Sequence, residues 1–326
     1  MVKLETKYLG LSLKNPIIVS SSGITGSIEK IKEAEKQGAA AVVLKSIFEE
    51  QINYEASNYQ KQGTADTEAF DYLQGYVSAN NLQKHINLIK DAKQAVSIPV
   101  IVSINCHSDK KWIDFAQQLQ LAGADALELN IYIVPDDRKK TGSDIEKQYY
   151  SIVKKIVKQI SIPVSVKLSY HFTNTVNVVD NLKGLGVKGV VLFNRFYEPD
   201  INIDTFEMTS GSVFSSETDM RFPLRWTAII SDQVSAMDIS TSTGVHNAKG
   251  LIKLLLAGAD TVQLCSVLYQ KGLGEIALML NQLEAWMDQN GFETIDNFRG
   301  LMSYKSISDP AVYQRSQFMK YFSNFE

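Results

Sequence analysis

Eight short apolar runs, each closing on small, polar or ionisable residues, constrain this chain more than any other feature. They read PIIVSSS from Pro16, AVVLKS to Ser46, IPVIVSIN to Asn105, ALELN to Asn130, IPVSVKLS to Ser169, GVVLFN to Asn194, AMDISTSTG to Gly244 and TVQLCS to Ser266. Continuous Val/Ile/Leu runs mark parallel strands that are covered on both faces. Between them, apolar residues recur every three or four positions, the period of a helix. These helical stretches are 27–39, 80–96, 110–124, 144–160, 177–187, 246–259 and 274–291. The alternation predicts an α/β fold, a TIM (β/α)8 barrel, where functional groups gather at the carboxyl ends of the strands.

A length of 326 residues suits one such barrel with insertions, so 1–326 reads as a single domain. The opening KLETKYLGLSLKNP reads as an N-terminal hairpin that closes the bottom of the barrel. Two connections, 47–79 and 195–236, are too long for simple loops and are expected to lie over the C-terminal face. The second carries alternating segments, DINIDTFEM and GSVFS, that suit a small hairpin. From about Thr294 the tail is expected to be helical, packed outside the barrel or reaching a partner subunit.

A net charge of −3 without a basic stripe gives no reason to expect nucleic acid. The first ten residues carry charges where a signal peptide needs an apolar stretch. No run approaches the roughly 18 uncharged apolar residues of a membrane span. Cys106 and Cys265 lie in or just beyond strand-like runs and read as free thiols. The expectation is a cytoplasmic protein without a membrane segment.

The strand ends then suggest chemistry. STSTGVHNAKG, 240–250, is a strand end, a small-residue turn and a helix start, which suits an anion. Cys265 and Ser266 end the eighth strand, and loops seven and eight are the frequent phosphate site of this fold. A plain helix cap by Ser242 or Thr243 is the bland reading. Lys45 and Lys167 each end an apolar run, so their ammonium groups should face the barrel mouth. There they can stabilise a developing anion or form a Schiff base, unless a carboxylate such as Glu128 pairs with them. Asn105, Asn130 and Asn194 suit the edge of a flat heterocycle, or cap the helices that follow. His107 and His171 each read as loop histidines, and no cluster of His and carboxylates predicts a metal.

NPIIVSSSG, VVLKS, LELN, VSVKLS, VVLFN, STG and TVQLCS occur in the order that resembles the dihydroorotate dehydrogenase family of FMN-dependent barrels. The likeness spans roughly 4–272 and looks closest to the soluble class 1 type. It implies that Ser20, Ser21, Ser22 and Gly23 lie against the flavin ring. Lys45 and Ser46 would contact flavin and substrate, Asn130 their junction, and Lys167 the flavin N1/O2 edge. Asn194 would face substrate, with Asn105 nearby, and Thr243, Gly244, Cys265 and Ser266 would hold the FMN phosphate. A homodimer, and a separate electron-transfer subunit, are further implications.

One position departs from the family pattern. After the fourth-strand Asn the family carries a cysteine or serine base, and here Ile133 takes that place in NIYIVP. Pro135 and Arg195 also replace polar substrate contacts, and 64–79 holds no clear counterpart of the substrate-reading segment. Tyr132, Cys106 and His107 are the candidate substitutes, and Arg195 could bind an acidic group. The activity expected is a flavin-dependent oxidoreduction at a CH–CH bond of a small anionic or heterocyclic substrate, with Lys45, Asn130, Tyr132 and Asn194 as catalytic candidates. The alternatives are a genuine dihydroorotate dehydrogenase of pyrimidine biosynthesis with an unorthodox base, a Schiff-base lyase or aldolase, and a flavin-binding protein without turnover.

Overall fold

The eight apolar runs become eight parallel strands in a computed structural model that describes residues 2–48, 67–105, 109–196 and 198–314 (backbone alone at 67–79, 109–110 and 314). In chain order the barrel strands are Ile17–Val19, Ala41–Val43, Val100–Asn105, Ala126–Asn130, Val164–Leu168, Gly189–Leu192, Asp238–Ser242 and Thr261–Leu264. Each pairs in parallel with the next, and the eighth pairs with the first, so the sheet closes. A two-residue strand, Ile47–Phe48, runs beside the end of the third and sets Phe48 opposite Asn105. The helices pack around the barrel through the larger apolar cluster, which includes Trp112, Tyr149 and Phe298.

The barrel interior is divided along its axis. At the N-terminal end, a small cluster of Ile18, Ala41, Val43, Ile101 and Ala126 is capped by Tyr8, Leu9 and Leu13. The cap comes from the expected hairpin, Thr6–Tyr8 paired antiparallel with Leu11–Leu13. Its turn residues Leu9 and Gly10 both have positive φ, at 56° and 76°, as a two-residue hairpin loop requires. A leucine there is unusual. Asp238 accepts its N–H at 2.6 Å, and its side chain is buried against Gly189.

Two expectations are corrected and one is extended. Residues 67–79, read as part of a long covering connection, belong to a 29-residue helix, Thr67–Ala95. Gly75 is its one strong breaker, and a single Gly weakens a helix by only about 1 kcal/mol. The described part of the tail, 295–314, is mostly turns: a 3-10 turn at Ile295–Asn297, then a short helix at Ala311–Gln314. Ser, Asp, Pro and a left-handed Gly300 (φ +77°) interrupt it, and backbone bonds from Gly300, Met302 and Tyr304 to Leu255, Leu256 and Ala228 lay it on the outer helices. The 195–236 connection contains a helix, Arg221–Gln233, and a hairpin of Pro199–Asn202 with Glu207–Ser210 that is formed around DINIDTFEM alone, GSVFS being irregular. Both hairpin strands are exposed almost throughout, so the hairpin stands off the barrel and its base covers the mouth. Among the described residues, no helix is long and apolar enough to cross a membrane.

Candidate functional site

Above the apolar floor, the inner positions of the same strands turn polar: Ser103, Glu128, Lys167, Ser240 and Gln263 are all buried. A cavity of about 590 Å3 opens over them at the C-terminal face. One wall is Ser20, Ser21, Ser22 and Gly23, where the first strand breaks into a 3-10 turn, Ile24–Gly26. Lys167 and Asn194 form a second side. Thr243, Gly244, Cys265 and Ser266 close the far end, with Phe214 and Tyr269 above them.

The wall residues are fixed by hydroxyl chains. Ser21 Oγ lies 3.1 Å from Ser46 Oγ and accepts the Ser46 N–H at 3.0 Å, and Ser46 Oγ lies 2.6 Å from Ser103 Oγ. Ser20 Oγ donates to Gln263 Oε1 at 3.0 Å and accepts from Lys167 Nζ at 3.2 Å. Lys167 also lies 3.8 Å from Glu128 Oε1, so the carboxylate considered from sequence is its ion partner. Gln263 Nε2 donates to Glu128 Oε2 at 2.8 Å.

The small-residue turn after the seventh strand is left-handed. Thr243 and Gly244 both have φ of +81°, and a Cβ on Gly244 would overlap the Met220 backbone. Glycine alone fits there. Asn247 caps the helix that follows, Ala248–Leu256, by accepting the Gly250 N–H at 2.9 Å. Ser215, from the 195–236 connection, joins the turn from above. Its Oγ accepts the Gly244 N–H at 3.3 Å and lies 3.2 Å from His246 Nε2 and 3.1 Å from Ser266 Oγ. Burial pushes the Cys265 thiol up, partly offset by Lys167 and by a hydrogen bond from Ser22.

The remaining sequence candidates divide. Asn194 Nδ2 donates to Asn130 Oδ1 at 2.7 Å, and Asn130 is the register partner of Lys167. Lys167 and Asn194 line the cavity, whereas Asn130, behind Asn194, and Ser46, behind Ser21, lie outside its described lining. Lys45 does not join them: it is exposed, beside Gly26, and outside the described lining of the cavity. Asn105 is half-buried at the third strand end and also outside that lining. Cys106 and His107 lie outside the described residues.

The fourth-strand loop is bound to its surroundings by apolar contacts. The Tyr132 ring stacks on Phe196 with centroids 3.8 Å apart and planes 18° apart. Ile133 packs against the core, and the buried Tyr149 hydroxyl donates to Ile131 O at 3.0 Å. Arg195 lines the cavity, but its guanidinium is already held by Asp219 at 3.0 Å, Glu198 at 3.5 Å and the Ser212 carbonyl at 2.6 Å. His171 is exposed, and its ring centroid is 6.2 Å from that of Phe196.

Gln263, Ser103, Ser215 and His246 escaped the sequence reading as site residues. For Gln263 and Ser103 a signal existed, a polar residue inside an otherwise apolar run. Ser215 had none, because its role depends on a loop folding back over the turn.

The family model for dihydroorotate dehydrogenase matches residues 3–287. Among curated relatives, the catalytic subunit of dihydroorotate dehydrogenase B (NAD(+)) from Thermoplasma volcanium is 26% identical over 307 residues, covering 92% of this chain and 99% of its own. The same subunit from Pyrococcus furiosus is 24% identical over 309 residues, 92% and 99% of the two chains. Dihydroorotate dehydrogenase A (fumarate) from Limosilactobacillus reuteri is 26% identical over 277 residues, 80% and 86%. With a closed barrel, a polar mouth and a match across most of its length, the chain belongs to the dihydroorotate dehydrogenase family.

Proposed function

We propose that this protein is an FMN-dependent oxidoreductase acting on a CH–CH bond of a small anionic or heterocyclic substrate. The observation that carries the reading is one cavity uniting the Lys167 ammonium, the small residues 20–23 and the turn at Thr243 and Gly244. Its volume of about 590 Å3 is that of a small-molecule site. The donor set fits FMN. A left-handed turn flanked by Ser215 and Ser266 suits a phosphate, and a buried cation open to the cavity suits an electron-rich ring edge.

FMN, when bound, supplies the hydride chemistry, and the residues of the chain hold and tune it. Residues 20–23 offer a flat face without bulky side chains. Lys167 offers positive charge where negative charge collects. Asn130 and Asn194, already bonded to each other, present a fixed amide pair toward the substrate side. Phe214 and Tyr269, with ring centroids 5.6 Å apart, form a half-open cover beside the phosphate end.

The substrate side argues against ordinary dihydroorotate oxidation. Ile133 stands at the base position and accepts no proton, and Arg195 is committed to Asp219 and Glu198. The second reading, a genuine dihydroorotate dehydrogenase of pyrimidine biosynthesis with another base, draws on the family and on the names of its relatives. Tyr132 is its first candidate, beside Cys106 and His107. A Schiff-base enzyme is less favoured, because Lys167 is tied to Glu128 and Ser20 and Lys45 is exposed. Cytoplasmic location, a homodimer through the exposed apolar hairpin (Ile201, Phe206, Met208), and a separate electron-transfer subunit belong to the proposal.

The test is reconstitution with FMN, followed by anaerobic mixing with dihydroorotate. A yellow holoprotein with raised melting temperature, whose flavin is not bleached by dihydroorotate, is the expected result. Bleaching moves the protein to the second reading. A bound flavin that no reductant can reduce leaves the protein without turnover, and no bound flavin ends the proposal.

A further inference from the structure

Four buried groups form a closed circuit under the cavity. Lys167 Nζ donates to Ser20 Oγ at 3.2 Å, Ser20 Oγ to Gln263 Oε1 at 3.0 Å, and Gln263 Nε2 to Glu128 Oε2 at 2.8 Å. The last link is the 3.8 Å approach of Glu128 Oε1 to Lys167 Nζ. Each donor is used once and in one direction, so the Gln263 amide and the Ser20 hydroxyl have a single consistent orientation. Glu128 is 1% exposed, and its Oε1 has no hydrogen-bond partner among the described residues. An orphaned, fully buried carboxylate oxygen is costly unless charge compensates it, and Lys167 is the cation facing it.

We infer that Glu128 is the positioning residue of this site: it fixes the Lys167 ammonium at the cavity floor and balances its charge, which lowers the reduction potential of a flavin bound above. The inference rests on the flavin reading. Lys167 is the only member of the pair that lines the cavity, so any bound group meets the cation first and the carboxylate behind it. In a buried site opposite charges at this spacing act as one dipole. Without Glu128, Lys167 presents an uncompensated charge, and a flavin that becomes anionic on reduction gains from it. Gln263 carries no charge. It holds the Glu128 carboxylate and the Ser20 hydroxyl in line, so its loss should loosen the arrangement with little effect on charge.

The experiment measures FMN affinity and the midpoint potential of bound FMN in the wild type, Glu128→Gln and Gln263→Met, by dye-coupled equilibrium reduction. Glu128→Gln is expected to shift the reduced-to-oxidised ratio at least tenfold toward reduced flavin, about +30 mV for a two-electron couple. Gln263→Met should shift it less than threefold while weakening FMN binding. Should Glu128→Gln not fold, Glu128→Asp withdraws the carboxylate from Lys167 and should move the potential in the same direction. An unchanged or lowered potential in the folded Glu128 variant overturns the inference while leaving FMN binding intact. A wild type that holds no flavin instead removes the reading beneath it.

Discussion

The floor and the mouth of this barrel are built from the same eight strands and behave as opposite solvents. The floor is closed by apolar side chains around Ile18, Val43 and Ile101 and sealed by Tyr8 and Leu9. The mouth, a few ångströms farther along, buries Glu128, Lys167, Gln263 and Ser20. At the floor, volume decides the fit, since interiors are close-packed. At the mouth, buried polar atoms need partners, and these come both from the neighbouring strand (Ser20 with Gln263, Glu128 with Lys167) and from across the axis (Lys167 with Ser20, Gln263 with Glu128).

The largest effect expected is on the mouth. Lys167→Met leaves the Glu128 carboxylate buried and unpaired, a loss of about 3–5 kcal/mol in chemical denaturation. The double variant with Glu128→Gln should recover most of it. Additive losses would mean that the two groups are not a pair. At the floor, Gly189→Ala should destabilise by about 1–3 kcal/mol, because its Cβ would lie 2.7 Å from Leu9 Cδ2 and 3.1 Å from the Asp238 carbonyl. An unchanged denaturation midpoint would mean that the hairpin does not seal the barrel.

A smaller effect tests the substrate side of the mouth. Asn194→Ala removes the donor to Asn130 and should lower stability by about 1 kcal/mol while leaving FMN affinity within threefold. A larger loss of FMN would move Asn194 from the substrate side to the flavin.

The last effect, a pH dependence, lies beneath the floor. Burial is the leading cause that raises the Asp260 carboxyl to about 6, opposed by its bond from the Ile239 N–H and by Arg299. Its folded value exceeds the unfolded one near 3.8, so the group takes up its proton earlier in the folded state. Its own contribution to stability therefore rises as pH falls from about 6 toward 4, opposite to the usual carboxylate. A carboxyl 13C titration of Asp260 with a midpoint below 4 would contradict this.

Much of the frame was legible because it is local. The apolar runs marked all eight barrel strands, and KLETKYLGLSLKNP marked the hairpin that seals them. Thr243 and Gly244 were legible as a tight turn between strand and helix because the conformation is set by neighbours in sequence. The helix over Thr67–Ala95 was only half legible, since a polar, aromatic stretch carries no clear 3.6 period. The described tail, 295–314, misled for a related reason: its Ser, Asp and Pro breakers outweigh its apolar residues.

Other features follow from contacts between distant residues. Lys45 and Lys167 look alike at the ends of two apolar runs, yet one is exposed and the other joins a buried circuit. What separates them among the described residues is that Lys167 meets Ser20, 147 positions away, and Glu128. By itself, the sequence determined the barrel and the polar strand ends, because strand period and residue type are properties of short segments. Only the tertiary structure decided which polar ends meet, because closing the barrel brings remote strands within hydrogen-bonding distance.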